Sequence, residues 1–225
     1  MFVSTTMVKD LITVNPETKL ADAKSLMEEN GIRHLPVIDA GGKLVGIVSD
    51  RDMRDAQPSS LLSEEDYNRT FAKVMSHTVA EIMTKDPLTI SVFYTLQDTL
   101  LVMQQRKVGA LPVIDEDGVL KGIMSTRDLL KAFVNVMGIG EPGTLLCILV
   151  KEKPGQMKKI VDIITEENVS LGSVMVAKSW DEENRAVFPY LMTNNVAGIK
   201  QKLIDQGFEL FDPMKWYLEQ LPHRD

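Results

Sequence analysis

The chain has 225 residues, of which 44% are hydrophobic and 25% are charged, and its formal net charge at pH 7 is −7. This composition fits one large or two modest globular cores, and the net negative charge argues against a nucleic-acid-binding surface. No apolar run approaches the roughly 20 residues that span a bilayer, and no signal-like segment opens the sequence, so we expect a cytoplasmic protein without membrane insertion. The one cysteine, Cys147, excludes an internal disulfide and lies in an apolar run that predicts a buried thiol.

A duplication dominates the first part of the chain. Residues 35–39, LPVID, return as residues 111–115, and residues 46–52, GIVSDRD, return as residues 122–128, GIMSTRD. The offset is 76 residues in both cases. Shared apolar, Gly, Ser, Arg and Asp positions at one spacing predict two like structural units that pack against each other.

Each copy is predicted to fold in the order β-α-β-β-α. In chain order, the first copy predicts a helix through Leu20 and Met27 that stops at Gly31, strands at 35–38 and 44–48, and a helix capped by Ser49 or Asp50. Residues 57–78 then form a connector, with a weak helical pattern at 64–75. The second copy predicts a helix from Thr95 through Met103, strands at 111–114 and 120–124, and a helix from Arg127 towards Val134.

These motifs resemble the cystathionine-β-synthase (CBS) domain. The resemblance is carried by the repeated h-P-V-h-D strand and the G-h-h-S-x-x-D turn into a helix, where h is an apolar residue, and it covers residues 7–133. A tandem CBS pair, called a Bateman module, implies an α/β (α+β) fold with one copy at 1–56, the connector at 57–78 and the other copy at 79–137. In this family the two copies leave two clefts that often receive adenosine nucleotides or related adenosyl compounds.

The resemblance implies a nucleotide site in each cleft. Ser49 and Ser125 follow a strand and precede a helix, so their hydroxyls and the nearby amides suit a phosphate. Asp52 and Asp128 suit the two hydroxyls of a ribose, as carboxylates do in other nucleotide folds. The implied nucleotide-binding residues are Thr13, His34, Leu35, Pro36, Ser49, Arg51, Asp52, Thr89, Ala110, Leu111, Pro112, Ser125, Arg127 and Asp128.

The same residues have a second interpretation. Ser followed three residues later by Asp is also an ordinary helix cap, which CBS domains that bind nothing retain. In the nucleotide interpretation, Gly46 and Gly122 are predicted to begin buried strands, where the absence of a side chain permits close backbone approach. The copies also differ, because 33–34, Arg-His, become 109–110, Gly-Ala. His34 is predicted either to reach a phosphate or to lie partly buried at the start of a strand.

A second domain is predicted at 143–218, followed by a polar tail at 219–225. Its predicted elements are a strand at 144–150, a helix from Met157 to near Asn168, strands at 171–177 and 186–192 joined by a charged turn at 181–185, a helix at 196–206 capped by Asn194 and Asn195, and an edge strand at 208–217. The βαββαβ order and the Lys-Pro-Gly turn at 153–155 resemble the ferredoxin-like ACT domain, which senses amino acids. That resemblance implies an amino-acid site at Gly155, Gln156, Asn168, Val169 and Leu171. The alternative is a sheet that serves dimerisation alone.

A CBS pair followed by an ACT-like domain resembles the accessory proteins linked to acetoin utilisation. The histidines His34, His77 and His223 are scattered, and no metal or nucleophile motif is present, so we expect no catalytic residue, metal site or cofactor. The expected function is non-catalytic sensing of a regulatory ligand such as AMP, ADP, ATP or S-adenosylmethionine. We also expect a homodimer and a regulated partner protein. The alternative function is assembly, in which the CBS and ACT surfaces only mediate oligomerisation.

Overall fold

A computed structural model describes residues 1–177 and 184–211. The chain divides into two compact units, Met1–Leu130 and Lys131–Asp225. In these described ranges, every helix is too short or too polar to cross a membrane.

The first unit repeats one arrangement twice, in which a helix, two antiparallel strands and a second helix follow each other. The first copy contains α1 (Val3–Thr6), α2 (Leu20–Asn30), β1 (His34–Ile38), β2 (Leu44–Ser49) and α3 (Asp50–Asp55). The connector contains α4 (Glu64–Met75), and a 3₁₀ turn, Val79–Glu81, follows it at the start of the second copy. The second copy contains β3 (Thr84–Lys85), β4 (Ile90–Ser91), α5 (Leu96–Arg106), β5 (Ala110–Ile114), β6 (Leu120–Ser125) and α6 (Thr126–Met137).

Several local predictions are confirmed at the helix ends. Ser49, rather than Asp50, is the N-cap of α3, and Thr95 is the N-cap of α5. Gly31 ends α2 in the left-handed conformation, which lets its amide bond to the last turn. The connector helix α4 has the bounds that its weak apolar pattern predicted.

Each copy completes its sheet with residues from the opening segment of the other copy. Thr84 of β3 pairs with Ile47 of β2 in an antiparallel ladder. At the equivalent place in the second sheet, Val8 forms an antiparallel bridge to Ile123 of β6. The two copies therefore interlock, and neither keeps its whole sheet without the segment that leads into the other.

This exchange explains the two glycines of the repeated motif and corrects our prediction for them. Gly46 and Gly122 lie third in β2 and β6 rather than at the strand starts. A Cβ on Gly46 would overlap Met83 Sδ and lie 3.1 Å from its Cγ, and a Cβ on Gly122 would overlap Met7 Sδ and lie 2.9 Å from its Cγ. The absent side chains thus make room for the exchanged methionines.

The first copy and the connector share one core. Leu20, Leu35, Val37 and Val48 are completely buried in it, and Met75 from the end of α4 joins them. Burial of such side chains contributes about 1.5–3 kcal/mol each, which holds α2 and α4 against the sheet.

The second unit places helices against one antiparallel sheet. Its elements are β7 (Thr144–Leu145), β8 (Ile148–Lys151), α7 (Gln156–Glu166), β9 (Leu171–Ala177), β10 (Asn184–Leu191), α8 (Ala197–Asp205) and β11 (Glu209–Leu210). From β8 onward the chain follows a βαββαβ order, and the strands lie in the order β11-β8-β10-β9. Ile148, Ile164, Leu191 and Leu203 are completely buried in the core between sheet and helices.

Three predictions for this unit need correction. The strand predicted at 144–150 is two pieces, β7 and β8, which both pair with β10. The N-cap of α8 is Val196 without a side-chain hydrogen bond, so Asn194 and Asn195 do not cap it. The last strand is short, because β11 ends at Leu210. Residues 212–217 of the predicted strand, residues 181–183 of the predicted turn and the tail at 219–225 lie outside the described residues.

Candidate functional site

A cavity of about 540 Å³ lies between the two copies of the first unit. The first copy contributes the start of β1, the end of β2 and the start of α3, including His34, Ser49 and Asp52. The second copy contributes residues 107–109, which lie between α5 and β5, and Ala110 and Pro112 of β5. Residues that lie far apart in the sequence therefore line one cavity.

The two carboxylate oxygens of Asp52 have different environments at the wall of this cavity. Its Oδ2 accepts hydrogen bonds from the Ser49 amide (2.7 Å) and the Ser49 hydroxyl (2.7 Å), while the Asp52 amide donates to Ser49 Oγ (3.3 Å). No described residue donates a hydrogen bond to the other carboxylate oxygen, Oδ1. The two interpretations of the motif are thus compatible, since one oxygen caps α3 and the other is available to a ligand hydroxyl.

The second copy builds the same cap. Asp128 Oδ2 accepts from the Ser125 amide (2.9 Å) and hydroxyl (2.6 Å), and the Asp128 amide donates to Ser125 Oγ (3.3 Å). These residues do not line the cavity described above. The chain therefore contains a natural pair of matched caps, one at the cavity and one away from it.

His34 lies partly buried at the start of β1 and faces the other copy. A Cβ on Gly109 would lie 3.5 Å from His34 Nε2, so the imidazole lies close to that glycine. Burial lowers the pKa of His34 below its usual value, while the nearby carboxylates of Asp50 and Asp52 oppose that shift and Arg33 adds to it. The imidazole is consequently neutral near pH 7 and can donate or accept a hydrogen bond.

The cavity is positively charged although the chain as a whole is negative. Among its described lining residues, the charged ones are Arg33, Arg51, Arg54 and Lys107 together with Asp50 and Asp52. Arg54 and Asp50 form an ion pair at 3.4 Å and largely offset each other. The other three cations make no ion pair with any described residue, which leaves a site suited to an anion.

The structure gathers some predicted site residues and leaves others elsewhere. Those that line the cavity are His34, Ser49, Arg51, Asp52, Ala110 and Pro112. Those that do not line it are Thr13, Leu35, Pro36, Thr89, Leu111, Ser125, Arg127 and Asp128. Leu35 and Leu111 are fully buried, so their side chains belong to the core and only their backbone could meet a ligand.

Sequence reasoning missed part of the cavity wall. Thr84, Pro87 and Leu88 reach it because the segment leading into the second copy is exchanged, and no short motif signals that exchange. Lys107 was missed as well, although a signal existed: aligning the copies at the 76-residue offset puts Lys107 opposite Gly31.

The five residues implied for an amino-acid site in the second unit form two groups. Gly155 (φ 89°) and Gln156 lie at the start of α7, whereas Asn168 (φ 54°), Val169 and Leu171 lie beyond its other end. Eleven helical residues span roughly 16 Å. One copy of the chain therefore does not bring the two groups together.

Two interlocked repeats of a helix, two antiparallel strands and a second helix, with a polar, cationic cavity between them, define the first unit as a tandem-repeat α/β module. The sequence model of the CBS domain matches it twice, at residues 3–59 and 79–135. The chain belongs to the CBS-domain family.

Similar proteins share this first part of the chain. A CBS domain-containing protein of Dictyostelium discoideum is 38% identical over 131 residues, which are 58% of this chain and 90% of that protein. An inosine-5′-monophosphate dehydrogenase of Korarchaeum cryptofilum is 40% identical over 123 residues, which are 55% of this chain. The chain spans only 22% of the length of that dehydrogenase.

Two solved structures resemble the chain with similar coverage. The protein CBSX2, solved in complex with AMP, has a TM-score of 0.51 and 31% identity and covers 60% of this chain and 97% of its own. A putative acetoin utilization protein from Vibrio cholerae has a TM-score of 0.52 and 30% identity and covers 63% of this chain and 98% of its own.

Proposed function

We propose that this protein is a non-catalytic regulator whose CBS pair senses an adenosine nucleotide or adenosyl compound in the cavity between its copies. The observation that carries the proposal is the meeting of Asp52, with one available carboxylate oxygen, and unpaired cations in a cavity of about 540 Å³. That volume lies within the roughly 300–1,000 Å³ of small-molecule sites. AMP is bound in the similar CBSX2, which supports the same ligand class here.

Each part of a nucleotide has a matching feature. Asp52 Oδ1 accepts hydrogen bonds from ribose hydroxyls, and Arg33 and Arg51 attract phosphate oxygens. Ile47 and Val108 offer apolar surface for an adenine ring. His34 donates a hydrogen bond to a phosphate or to a ring nitrogen.

The matched caps provide the test. Asp52→Asn and Asp128→Asn each weaken a Ser–Asp cap, so both should lose about 1 kcal/mol of folding stability. Calorimetric titration with AMP, ADP, ATP and S-adenosylmethionine measures affinity. Relative to the wild type, affinity at this cavity should fall tenfold or more in Asp52→Asn and should not fall in Asp128→Asn.

Two outcomes would contradict the proposal. If the wild type binds none of the four compounds, an assembly role for the CBS and ACT-like surfaces replaces sensing. If Asp52→Asn binds as tightly as the wild type, this carboxylate does not hold the ligand. Any second site at Ser125, Arg127 and Asp128 would appear as a fall in stoichiometry from two to one in the Asp128 variant.

We also propose that the second unit is an ACT-like amino-acid-sensing domain that works as a homodimer. The strand order β11-β8-β10-β9 and the open backbone at Gly155 support this proposal, since no atom lies within 4 Å of a Cβ placed there. Because Gly155 and Asn168 lie at opposite ends of α7, a site that uses both needs a second copy. Sedimentation velocity with and without single amino acids tests it, and a monomer under all conditions would contradict it.

A further inference from the structure

One position of the repeat has the same backbone conformation in both copies but a different residue. Gly31 and Lys107 occupy the same position after the first helix of each copy, and both adopt the left-handed conformation, with φ and ψ of 62° and 29° at Gly31 and 54° and 39° at Lys107. Glycine adopts this conformation without penalty, whereas a side chain at Cβ strains it. The second copy therefore keeps a lysine where glycine would stabilise the fold.

The side chain has a place to act. Lys107 of the second copy lines the same cavity as Ser49 and Asp52 of the first copy, and it makes no ion pair with any described residue. A strained non-glycine residue that persists at a ligand cavity is the pattern expected of a functional side chain. Its equivalent, Gly31, brings no charge, so a cleft built around Gly31 would lack this cation.

The charges around Lys107 indicate what it binds. Arg54 is already paired with Asp50 at 3.4 Å, and Asp52 is assigned to a ribose. Arg33, Arg51 and Lys107 remain as three cations against no unassigned carboxylate among the described lining residues. Such a surplus favours ligands with more negative charge and disfavours a positively charged sulfonium.

We propose that Lys107 is the specificity-determining residue of the cavity, where its ammonium group binds a phosphate oxygen and selects phosphorylated adenosine nucleotides over adenosine and S-adenosylmethionine. This inference rests on the proposed nucleotide-sensing function and names its ligand class. It predicts an affinity order in which ADP and ATP bind more tightly than AMP, and AMP more tightly than adenosine.

The variant Lys107→Gly separates backbone strain from ligand binding, because it should raise the stability of the protein and lower its affinity for nucleotides. Relief of the left-handed strain should raise the melting temperature of the free protein by roughly 2–4 °C. Loss of the ammonium group should weaken AMP and ADP binding by about tenfold and leave adenosine binding within twofold of the wild type. A merely structural role for Lys107 would not produce a more stable protein that binds nucleotides less tightly.

Two control variants sharpen the result. Arg106→Gln removes the same unit charge one residue earlier, at a residue that does not line the cavity, and should leave every affinity within twofold. Lys107→Arg keeps the charge and should keep the preference for phosphorylated ligands.

The possible failures are distinguishable. If the wild type binds AMP, and Lys107→Gly binds both AMP and ADP as tightly as the wild type does, Lys107 does not select the ligand, although the proposed function stands. If Lys107→Gly lowers the melting temperature, the strain argument is wrong. If the wild type binds no adenosine compound, the proposed function and this inference both fail.

Discussion

Ser49 and Asp52 form a helix cap at the wall of the cavity, where we propose that Asp52 also binds the ligand. The cap uses Asp52 Oδ2 and the Ser49 hydroxyl, so it fixes the carboxylate in one orientation before any ligand arrives. A preorganised carboxylate loses little side-chain entropy on binding, which favours affinity. The matching cap at Asp128 has the same hydrogen bonds but does not line that cavity, so the cap by itself does not distinguish a binding residue from a structural one.

Adding even one methyl group at Gly46 is expected to destabilise the fold. Gly46→Ala should cost about 1–3 kcal/mol, because its Cβ would overlap Met83 Sδ and lie 3.2 Å from the Thr84 carbonyl oxygen. Urea denaturation measures the loss. Gly140→Ala is the control, since no atom lies within 4 Å of its Cβ, and it should stay within about 0.5 kcal/mol of the wild type. A Gly46 variant as stable as this control would argue against the exchanged packing.

His34 should make stability depend on pH. Burial lowers its pKa in the folded state below the ordinary value of 6.5, so protons bind more readily to the unfolded chain. The stabilising contribution of the neutral imidazole is therefore present above pH 6.5 and is lost as the pH falls through the folded pKa. His34→Asn removes this titration. Between pH 7 and about pH 5.5, the melting temperature of the wild type should fall more steeply than that of the variant; parallel curves would contradict the buried, neutral state.

The sequence predicted single-residue features that a short motif signals, such as a helix cap. It did not predict features that depend on backbone conformation or on residues distant in the sequence. The Ser49–Asp52 spacing is a local signal, and the structure shows that cap. The left-handed conformation of Lys107 gives no signal in one copy, because lysine is ordinary at a helix end. Only comparison with Gly31 reveals it, since glycine at that position shows which conformation both copies need.

At the scale of elements, the exchanged segments were the main feature that the sequence did not predict. β3 has two exposed residues, Thr84 and Lys85, and the first copy of this segment forms only a bridge at Val8. Strands this short have no alternating pattern to recognise. The connector helix α4 was predicted because an amphipathic pattern over 12 residues is long enough to be seen.

The opening segment of the first copy should stabilise the second copy. Val3 is completely buried, and its amide donates to the Tyr94 carbonyl at 2.8 Å. Val3→Ala should cost about 2 kcal/mol in urea denaturation and should speed hydrogen exchange in α5 and β6 more than in α2. Leu61→Ala is the control, because Leu61 is 93% exposed and its truncation should cost less than about 0.5 kcal/mol. If hydrogen exchange became faster only in α2, the packing of the opening segment of the first copy against the second copy would be contradicted.

The strand predicted at 144–150 illustrates a limit of apolar runs. That stretch contains no glycine, proline or charged residue, so the sequence gives no reason to divide it. In the structure, Leu146 and Cys147 interrupt it, and Leu146 is buried in the core against the helices. Four of its seven residues are buried but Leu145 is half exposed, so a continuous apolar run shows neither which residues are buried nor where strand pairing stops.

At the scale of the whole molecule, α6 is the element that crosses the division between the two units. It begins at Thr126, inside the Ser125–Asp128 cap, and ends at Met137, whose carbonyl accepts a hydrogen bond from the Ser173 hydroxyl at 2.8 Å. The division itself falls between Leu130 and Lys131. A change in the CBS pair that displaces the start of α6 is therefore expected to reach β9 through a continuous helix.

Interrupting that helix tests whether sensing passes from one unit to the other. Insertion of two glycines between Leu130 and Lys131 should break the continuity of α6, since glycine lowers helix stability by about 1 kcal/mol per residue. ADP at 100 times its dissociation constant stabilises the folded first unit by about 2.7 kcal/mol, so its melting transition should rise by roughly 5–10 °C in both proteins. Hydrogen exchange in β9 should respond to ADP in the wild type and not in the insertion variant, because a ligand shifts a distant element only through a physical link. If ADP leaves β9 exchange unchanged in the wild type while it raises the first transition, the response to nucleotide ends within the CBS pair and does not reach the second unit.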